Sequence, residues 1–247
     1  MKQVPPVSHL RAFARRCRQA LPVPLQCLWL GWRAGGRVER GVGSFVHKSV
    51  QILGRGSVAI GANSVISQDG WLNVNHRDTG RRAIVVGENC FIGRRNFFSS
   101  GHSIELKDFV LTANDCHFLG STHVADDPFV PILLTGTSAH DAISVGVNSF
   151  IGAGARIVGS VAIGHACVIG AGSTVTRDIP PFSQAVGSPA TVRRRYSVGR
   201  CAWVTPEEFT DADEAALPGE AAYLAQLARH GTIPMPYLAA GSDMGDC

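Results

Sequence analysis

The sequence predicts an all-β solenoid, a left-handed parallel β-helix with short helical extensions at its N-terminal and C-terminal ends. An apolar residue recurs at every sixth position, and the 28 glycines are spread along the repeats rather than gathered in one linker. A step of six fits neither the 3.6-residue period of a helix nor the alternation of a hairpin. It fits a chain that forms a short strand, turns and repeats, so that three edges close one coil and stacked coils form three parallel sheets.

The repeat is clearest in the second half of the chain. From Val145 the sequence divides into VGVNSF, IGAGAR, IVGSVA, IGHACV, IGAGST and VTRDIP, and an earlier block from Val86 has the same step. A weaker, drifting version precedes both blocks. The first residue of each six is predicted to point into the coil. These leading residues are Val46, Ile52, Ile60, Ile66, Leu72, Val86, Ile92, Phe98, Ile104, Val110, Val145, Ile151, Ile157, Ile163, Ile169 and Val175.

Each corner of the coil has a signature of its own. Four places after a leading residue stands a small residue, which we expect to share the interior. Just before it stands asparagine or glycine, the residues that accept a positive φ at the lowest cost. The small residues are Ser64, Cys90, Ser149, Ala155, Cys167 and Ser173, and the corner residues are Asn63, Asn89, Asn148, Gly154 and Gly172. The two patterns agree across both blocks.

The step of six is predicted to fail between Asp115 and Ile143. This segment, 115–143, contains DCHFLGSTHVADDPFVPILLTGTSAHDA, with His117 and His123 and several large apolar residues. A solenoid can eject an insertion from a corner without disturbing the coils on either side. Long loops inside compact domains are usually functional or disordered. The composition of this loop favours function.

The flanks differ from the repeats and divide the chain into three parts. Residues 1–40 form a basic N-terminal arm with a short amphipathic helix at 8–20, and 41–195 form the β-helix. Residues 196–247 form an acidic helical extension. Thr205 is predicted to cap one helix, because a proline and two glutamates follow it, and a second helix covers roughly 218–229.

Composition restricts the setting of the protein. The seven cysteines are scattered without a C-x-x-C pair, which is typical of reduced cytoplasmic thiols. No stretch is long and apolar enough to cross a bilayer, and the start does not read as a signal peptide. We expect a cytoplasmic protein that does not bind nucleic acid. The basic arm either touches an anionic membrane surface peripherally or complements the acidic tail.

The segment VGVNSFIGAGARIVGSVAIGHACVIGAGSTVTRDIPPFSQAVGSPATVRRR resembles the C-terminal coils of the maltose, galactoside and xenobiotic O-acetyltransferases, hexapeptide-repeat enzymes. It is most similar to the polysaccharide-biosynthesis branch. NDCHFLGSTHVADDPFVPI is similar to the Asp-x-x-His loop of that family. The resemblance covers most of residues 46–195. It implies an acetyl-CoA-dependent O-acetyltransferase that transfers directly to a sugar hydroxyl of a glycan or its precursor, with no metal, in a homotrimer.

The resemblance also assigns residues. His117 matches the family's catalytic histidine, with His123 as the backup, and an imidazole can take the acceptor's proton near neutral pH. Asp115 is a candidate for orienting that imidazole. His165 falls at an outward-facing repeat position and is predicted to lie at the surface. The positions that match the acetyl-CoA site are Ala153, Ala171, Thr176, Arg177, Arg193 and Arg194, with Arg195 beside them. Asn96 and Ser100 are candidates for binding the acceptor.

Other functions remain open at this stage. An amino-sugar N-acetyltransferase, or one that acts on another small molecule, would share the repeats and the loop. The γ-type carbonic anhydrases share the fold but bind zinc through three histidines, two of them closely spaced on one coil. This chain has His102, His117 and His123 but no His-x4-His pair on regular repeats. A non-catalytic repeat protein is the third class. The sequence does not name the acceptor.

Overall fold

The computed structural model describes residues 38–76 and 80–229, and the predicted helix at 8–20 lies outside this part of the chain. The strands before the long loop are β1 Glu39–Arg40, β2 Phe45–Val46, β3 Gln51–Leu53, β4 Val58–Ile60, β5 Val65–Ile66, β6 Trp71–Val74, β7 Ile84–Val86, β8 Phe91–Ile92, β9 Phe97–Ser100, β10 Ser103–Leu106, β11 Leu111–Thr112 and β12 His117–Leu119. The strands after the loop are β13 Ala142–Val145, β14 Phe150–Ile151, β15 Arg156–Val158, β16 Val161–Ile163, β17 Val168–Ile169, β18 Thr174–Val175, β19 Ser183–Gly187, β20 Ala190–Ser197 and β21 Ala202–Val204.

The chain visits three sheets in strict rotation. The first sheet has the order β1-β4-β7-β10-β13-β16, the second begins β2-β5-β8-β11-β14-β17, and the third contains β3-β6-β9-β12-β15-β18. All of these neighbours pair in parallel, for example β12 with β9 and β15. One strand from each sheet therefore makes one coil, and the prediction of three mostly parallel sheets is confirmed.

The interior of the coil is filled by the leading residues. Those from Ile60 onward are all buried, whereas Val46 and Ile52, near the N-terminal end of the described coils, are half-buried. All six predicted small residues are at most 1% exposed. Burial raises the pKa of the Cys90 thiol to about 12 and those of Cys116 and Cys167 to about 11, so these thiols stay protonated.

The corners adopt the backbone that the sequence predicts. Asn63, Asn89 and Asn148 have φ of 54–56°, and Gly154 and Gly172 have φ of 69° and 67°. Ala166 has the same conformation, with φ of 55°. An alanine in this region carries a steric cost that asparagine and glycine largely avoid.

Several coils are longer than three sixes, and within the block from Val86 the sequence pattern did not predict the extra residues. Eighteen residues separate Val145 from its ladder partner Ile163, but twenty separate Val86 from Leu106. Leu106 therefore occupies the place of a leading residue, and Ile104 pairs with Ile84 instead. The extra residues lie at Gly101 and His102, between β9 and β10. The step of six then resumes, so it does not fail at Asp115 but continues to Leu119.

The end of the second sheet changes direction. β19 adds in parallel to β17, whereas β20 and β21 add antiparallel, and β20 crosses the predicted boundary at residue 195.

Thr205 does not cap a helix, because residues 206–208 form a turn. The short helix α2, Asp211–Ala216, begins after Thr210, which forms a capping box with Asp213. The next helix, α3, spans Glu220–Ala228, close to the predicted 218–229. Helix α1, Ile132–Thr135, lies in the long loop, and Arg55–Ser57 form a 3₁₀ turn.

The buried carboxylate of Asp213 holds this C-terminal segment together. It accepts hydrogen bonds from the Ser197 hydroxyl, from the backbone N–H and hydroxyl of Thr210 at 2.9 and 2.8 Å, and from the Arg200 guanidinium at 2.7 Å. These donors, the Ser197 hydroxyl first, hold the pKa of Asp213 well below its usual range.

Helix α3 covers part of the repeat surface. Tyr223 packs against His165, with ring centroids 5.5 Å apart, and its hydroxyl accepts from the Asn148 amide at 2.6 Å. The His165 ring donates through Nε2 to the Pro218 carbonyl at 3.0 Å and is 6% exposed. The prediction that His165 lies at the surface is therefore wrong, because a segment outside the repeats packs over it.

Candidate functional site

The long loop leaves and re-enters the coil at neighbouring points. It connects the end of β12 in the third sheet to β13 in the first, and residues 120–141 lie outside the coil. The Gly120 N–H donates to the Ser99 carbonyl at 2.9 Å, and the His102 N–H donates to the Asp141 carbonyl at 2.7 Å. A Cβ on Gly101 would stand 1.9 Å from the Gly120 carbonyl oxygen, so only glycine permits this crossing.

Two short segments of the loop form an antiparallel ribbon, residues 122–124 against residues 136–138. The Ser138 N–H donates to the Thr122 carbonyl at 2.7 Å, and the Val124 N–H donates to the Gly136 carbonyl at 3.3 Å. His123 and Thr137 face each other as a bridge pair. The backbone on both sides of His123 is thus fixed by hydrogen bonds.

The imidazole of His123 is oriented by the same carbonyl. Nδ1 of His123 lies 3.1 Å from the Gly136 carbonyl oxygen. A carbonyl can only accept, so Nδ1 carries the proton and Nε2 of the neutral ring keeps its lone pair. The side chain is exposed. An oriented imidazole with a free ring nitrogen at the surface is what a general base requires.

His117 lies in the coil rather than in the ejected loop. It opens β12 on the outer face of the third sheet, half-buried, where it pairs with Phe97 and Arg156 in the ladder. Its ring meets Phe97 edge to face, with centroids 5.9 Å apart. Within the described residues its imidazole makes no hydrogen bond, so no carbonyl or carboxylate selects its tautomer.

Asp115 has a different partner from the one predicted. Its two carboxylate oxygens accept from Nε and an Nη of Arg95, both at 2.7 Å. This fork, with a smaller contribution from the nearby His117, lowers the pKa of Asp115. Asp115 sits at a corner with φ of 61°. Its carboxylate stabilises the corner, and no hydrogen bond joins it to His117.

The two alanines that match the acetyl-CoA site are neighbours. Ala153 and Ala171 are both exposed at the corner between the second and third sheets, one coil apart. The Gly172 N–H donates to the Ala153 carbonyl at 2.8 Å. Thr176 and Arg177 follow β18 and are exposed. These residues form a surface of small side chains with a cation near one end.

The arginine cluster divides into free and engaged members. Arg193 and Arg194 are exposed on β20, with no hydrogen bond or ion pair from their side chains to other described residues. Arg195 pairs with Glu214, donates to the Pro181 carbonyl at 3.2 Å and stacks 4.1 Å over the Phe209 ring. Arg195 is therefore committed to the C-terminal segment, whereas Arg193 and Arg194 are available to an anion.

Asn96 and Ser100, the residues predicted to bind the acceptor, are both buried. Asn96 is 1% exposed; its amide donates to the Thr112 hydroxyl at 2.5 Å and its oxygen accepts from the Cys116 N–H at 2.6 Å. Ser100 is fully buried. Asn96 stands four places after the leading residue Ile92 and fills the small interior position there. Because asparagine is polar, its burial was not predicted from the sequence.

Sequence reasoning missed one residue at the base of the ribbon. Nε2 of His76 donates to the Ser138 carbonyl at 3.0 Å and lies 3.3 Å from the Thr137 hydroxyl. No spacing signal could have found it, because His76 is 62 residues from Ser138 and lies just beyond a strand two coils earlier.

Two general features of the described residues bear on other functions. Residues 38–76 and 80–229 contain no group of three or more His, Cys, Asp or Glu side chains that could hold a metal ion. In the same part of the chain, no helix is long and apolar enough to cross a membrane.

Known proteins resemble this chain in its repeats. A model of the hexapeptide repeat of succinyl-transferase matches residues 142–177. A probable acetyltransferase of Mycobacterium tuberculosis is 29% identical over 153 residues, which cover 60% of this chain and 50% of the relative. The galactoside O-acetyltransferase of Escherichia coli is 35% identical over 122 residues, covering 45% and 56%. The chain spans about half the length of the curated relatives it matches.

A solved structure extends the likeness to the fold. AntD, an N-acyltransferase from Bacillus cereus in complex with dTDP and 3-hydroxybutyryl-CoA, aligns with a TM-score of 0.54 at 16% identity. The alignment covers 80% of this chain and 95% of that chain. The predicted resemblance to hexapeptide-repeat acetyltransferases is confirmed by the repeat match and by the named relatives.

Proposed function

We propose that this chain is an acetyl-CoA-dependent O-acetyltransferase that acts on a sugar hydroxyl in the biosynthesis of a cell-surface polysaccharide or lipopolysaccharide. The observation that carries the proposal is the oriented imidazole of His123, held by the Gly136 carbonyl on a loop that leaves a hexapeptide-repeat coil. The named acetyltransferases among the relatives, including the galactoside enzyme, support both the reaction class and the sugar acceptor.

In the proposed reaction, Nε2 of His123 removes the proton of the acceptor hydroxyl as its oxygen attacks the thioester carbonyl carbon. The C–O bond forms, the C–S bond breaks, and the imidazolium returns the proton to the departing sulfur. No acyl-enzyme is formed. General-base assistance of this kind typically accelerates a reaction ~10²–10⁴-fold. The Nδ1–H bond to Gly136 persists in both protonation states, so the ring keeps its position throughout.

We assign the base to His123 before His117 on the strength of this hydrogen bond. His117 remains the second candidate, because it lies on the outer face of the sheet next to the corner that carries Ala153. His117 is the first residue of β12, whereas His123 lies in the loop that follows this strand. Their variants therefore separate the two assignments.

Acetyl-CoA is proposed to lie against the corner formed by Ala153 and Ala171. Small side chains there let the pantetheine arm approach the backbone closely. Thr176 and Arg177 would meet the nucleotide end, and the free guanidinium groups of Arg193 and Arg194 suit its phosphates. The CoA complexes of the structural neighbour are consistent with this cosubstrate.

We further propose that the coil is left-handed and that three copies associate. The outer face of the second sheet carries a column of apolar side chains, Phe45, Phe91, Leu111 and Phe150 among them. Phe45, Leu111 and Phe150 are 43%, 43% and 36% exposed. A contiguous apolar surface of this kind is typical of an interface. The cytoplasmic location and the membrane contact of the basic arm stay predictions.

The proposal is tested by acetyl transfer from acetyl-CoA to a panel of sugars, amino sugars and nucleotide sugars, measured as release of free CoA. With a productive hydroxyl acceptor, His123→Ala is expected to lower kcat by 10²–10⁴-fold and to leave the Kd for CoA unchanged. His117→Ala is the matched comparison. Loss of activity in His117→Ala alone would move the base to His117, and turnover confined to amino sugars would replace O-transfer by N-transfer.

A further inference from the structure

The ribbon that carries His123 is attached to the coil by a side chain from a distant part of the sequence. His76 follows β6, and its Nε2 lies 3.0 Å from the Ser138 carbonyl oxygen. Because a carbonyl only accepts, Nε2 of His76 carries the proton. The Thr137 hydroxyl lies 3.3 Å from the same nitrogen. His76 therefore touches two successive residues of the ribbon segment 136–138.

That segment is the one that orients His123. Thr137 is the bridge partner of His123, and Gly136, its neighbour, supplies the carbonyl that accepts from Nδ1. Gly136 has φ of 80° and nothing within 4 Å of where a Cβ would be, so it faces open space on that side. Its position depends on the hydrogen bonds of the residues beside it.

Hydrogen bonds also join the residues just before His76, and the start of the loop, to the neighbouring coil. The Asn73 amide donates to the Asn75 side-chain oxygen at 2.6 Å, and the Asn75 amide donates to the Ser99 hydroxyl at 3.0 Å. The carbonyl of Ser99 accepts from the Gly120 N–H at 2.9 Å. Polar side chains of adjacent coils thus form one connected network under the loop.

Only one other side chain reaches the Ser138 carbonyl among the described residues. The Ser121 hydroxyl donates to it at 3.2 Å, but Ser121 belongs to the loop itself. The bond from His76 is therefore the one that joins this carbonyl to the body of the coil. Among the described residues, His76 is thus the coil side chain that hydrogen-bonds to the ribbon itself, whereas the Gly120 and Asp141 contacts hold the two ends of the loop.

We infer that His76 is a positioning residue for the proposed reaction. Its imidazole holds segment 136–138 against the coil, so that the Gly136 carbonyl fixes both the tautomer and the direction of the His123 ring. The inference rests on the proposed role of His123. Partners that orient metal-ligating histidines typically contribute 10–100-fold, and we expect an effect of that order here.

The test compares His76→Gln with His76→Met in the full-length protein. Glutamine keeps an N–H near the place of Nε2, whereas methionine has a similar length and no donor. We expect kcat to fall about 10–100-fold in His76→Met with the KM for acetyl-CoA unchanged, and to recover most of its value in His76→Gln. His140→Ala is the control, because His140 is exposed on the same loop and its hydrogen bond uses the backbone N–H.

A double variant separates positioning from general stability. In a His123→Ala background, His76→Met is expected to cause no further loss of kcat, since it acts through His123. An undiminished additional loss, or equal activity of the Gln and Met variants, would overturn the inference. If His76→Met does not fold, as judged by its melting temperature, His76→Ala takes its place in the same comparison.

The two proposals fail in different ways. Wild-type turnover in His76→Met together with an inactive His123→Ala overturns the role of His76 and leaves the base in place. Wild-type turnover in His123→Ala overturns the base, and with it the positioning role.

Discussion

Phe98 and Phe118 stack inside the coil, with ring centroids 4.6 Å apart and planes inclined by only 12°. They are ladder partners in β9 and β12, and Phe118 also pairs with Ile157 in β15. This contact sets the register of the last strand before the loop. With Phe118 pointing inward, His117 must point outward and the loop must begin at the corner after Leu119.

Replacing Phe118 by alanine is expected to destabilise the protein by about 3–5 kcal/mol, because a fully buried ring is lost between two coils that cannot collapse onto the gap. Urea unfolding measures the change. Phe129→Ala is the control: Phe129 is 94% exposed in the loop, and its loss is expected to stay within about 0.5 kcal/mol. Equal effects of the two variants would contradict the register described for β12.

Ala171→Leu is expected to raise the Kd for CoA at least tenfold and to leave folding unaffected. Ala171 is exposed, so a larger side chain adds no strain to the core but fills the space proposed for the pantetheine arm. Calorimetry measures the affinity. Ala162→Leu places the same change on an exposed position of the first sheet and should bind CoA like the wild type. Unchanged binding by Ala171→Leu would remove this corner from the cosubstrate site.

Asp213→Asn is expected to destabilise the C-terminal segment at neutral pH. The pKa of Asp213 is lowered in the folded state, so its contribution is fully present above the ordinary aspartate pKa of about 3.9. Below that pH the unfolded chain takes up the proton first, and the contribution declines as the pH approaches the lower folded value. The difference in unfolding free energy between wild type and variant should therefore stay constant from pH 7 to about pH 4 and shrink as the pH falls further. A difference that does not vary with pH would contradict the assignment.

Leu111→Glu combined with Phe150→Glu is expected to dissociate the proposed trimer. The two side chains are ladder neighbours on the second sheet, and carboxylates buried between copies would have no partner. Light scattering should give three times the mass of the 26.2-kDa chain for the wild type and the monomer mass for the variant. Val198→Glu, at an exposed turn far from the column in sequence, should leave the mass unchanged. A monomeric wild type would refute the trimer.

The coils were predictable because their determinants are local. An inward-facing side chain and a corner with positive φ both follow from residues within one six, as Asn148, Ser149 and Ile151 illustrate. The register was harder to predict. Ile104 is apolar and buried, as a leading residue should be. Two extra residues before it nevertheless shift it to a different position in the coil, where it pairs with Ile84.

The site was less predictable because its contacts join distant parts of the chain. Nothing near His165 in the sequence signals that Tyr223 will cover it, and nothing near His76 signals Ser138. The choice between His117 and His123 likewise depends on where Gly136 places its carbonyl oxygen. A motif can nominate both histidines, but only the folded ribbon distinguishes their tautomers.

The entry and exit of the loop lie side by side, since a Cβ on Gly120 would be 3.6 Å from the Asp141 carbonyl oxygen. Strands β10 and β13 pair in parallel along their whole length, although the loop separates them in sequence. The length and composition of the excursion are therefore decoupled from the coil that supports it. We therefore expect a loop of different length or sequence between Gly120 and Asp141 to leave the pairing of these two strands unchanged, whereas the proposed reaction still requires an imidazole at the place of His123.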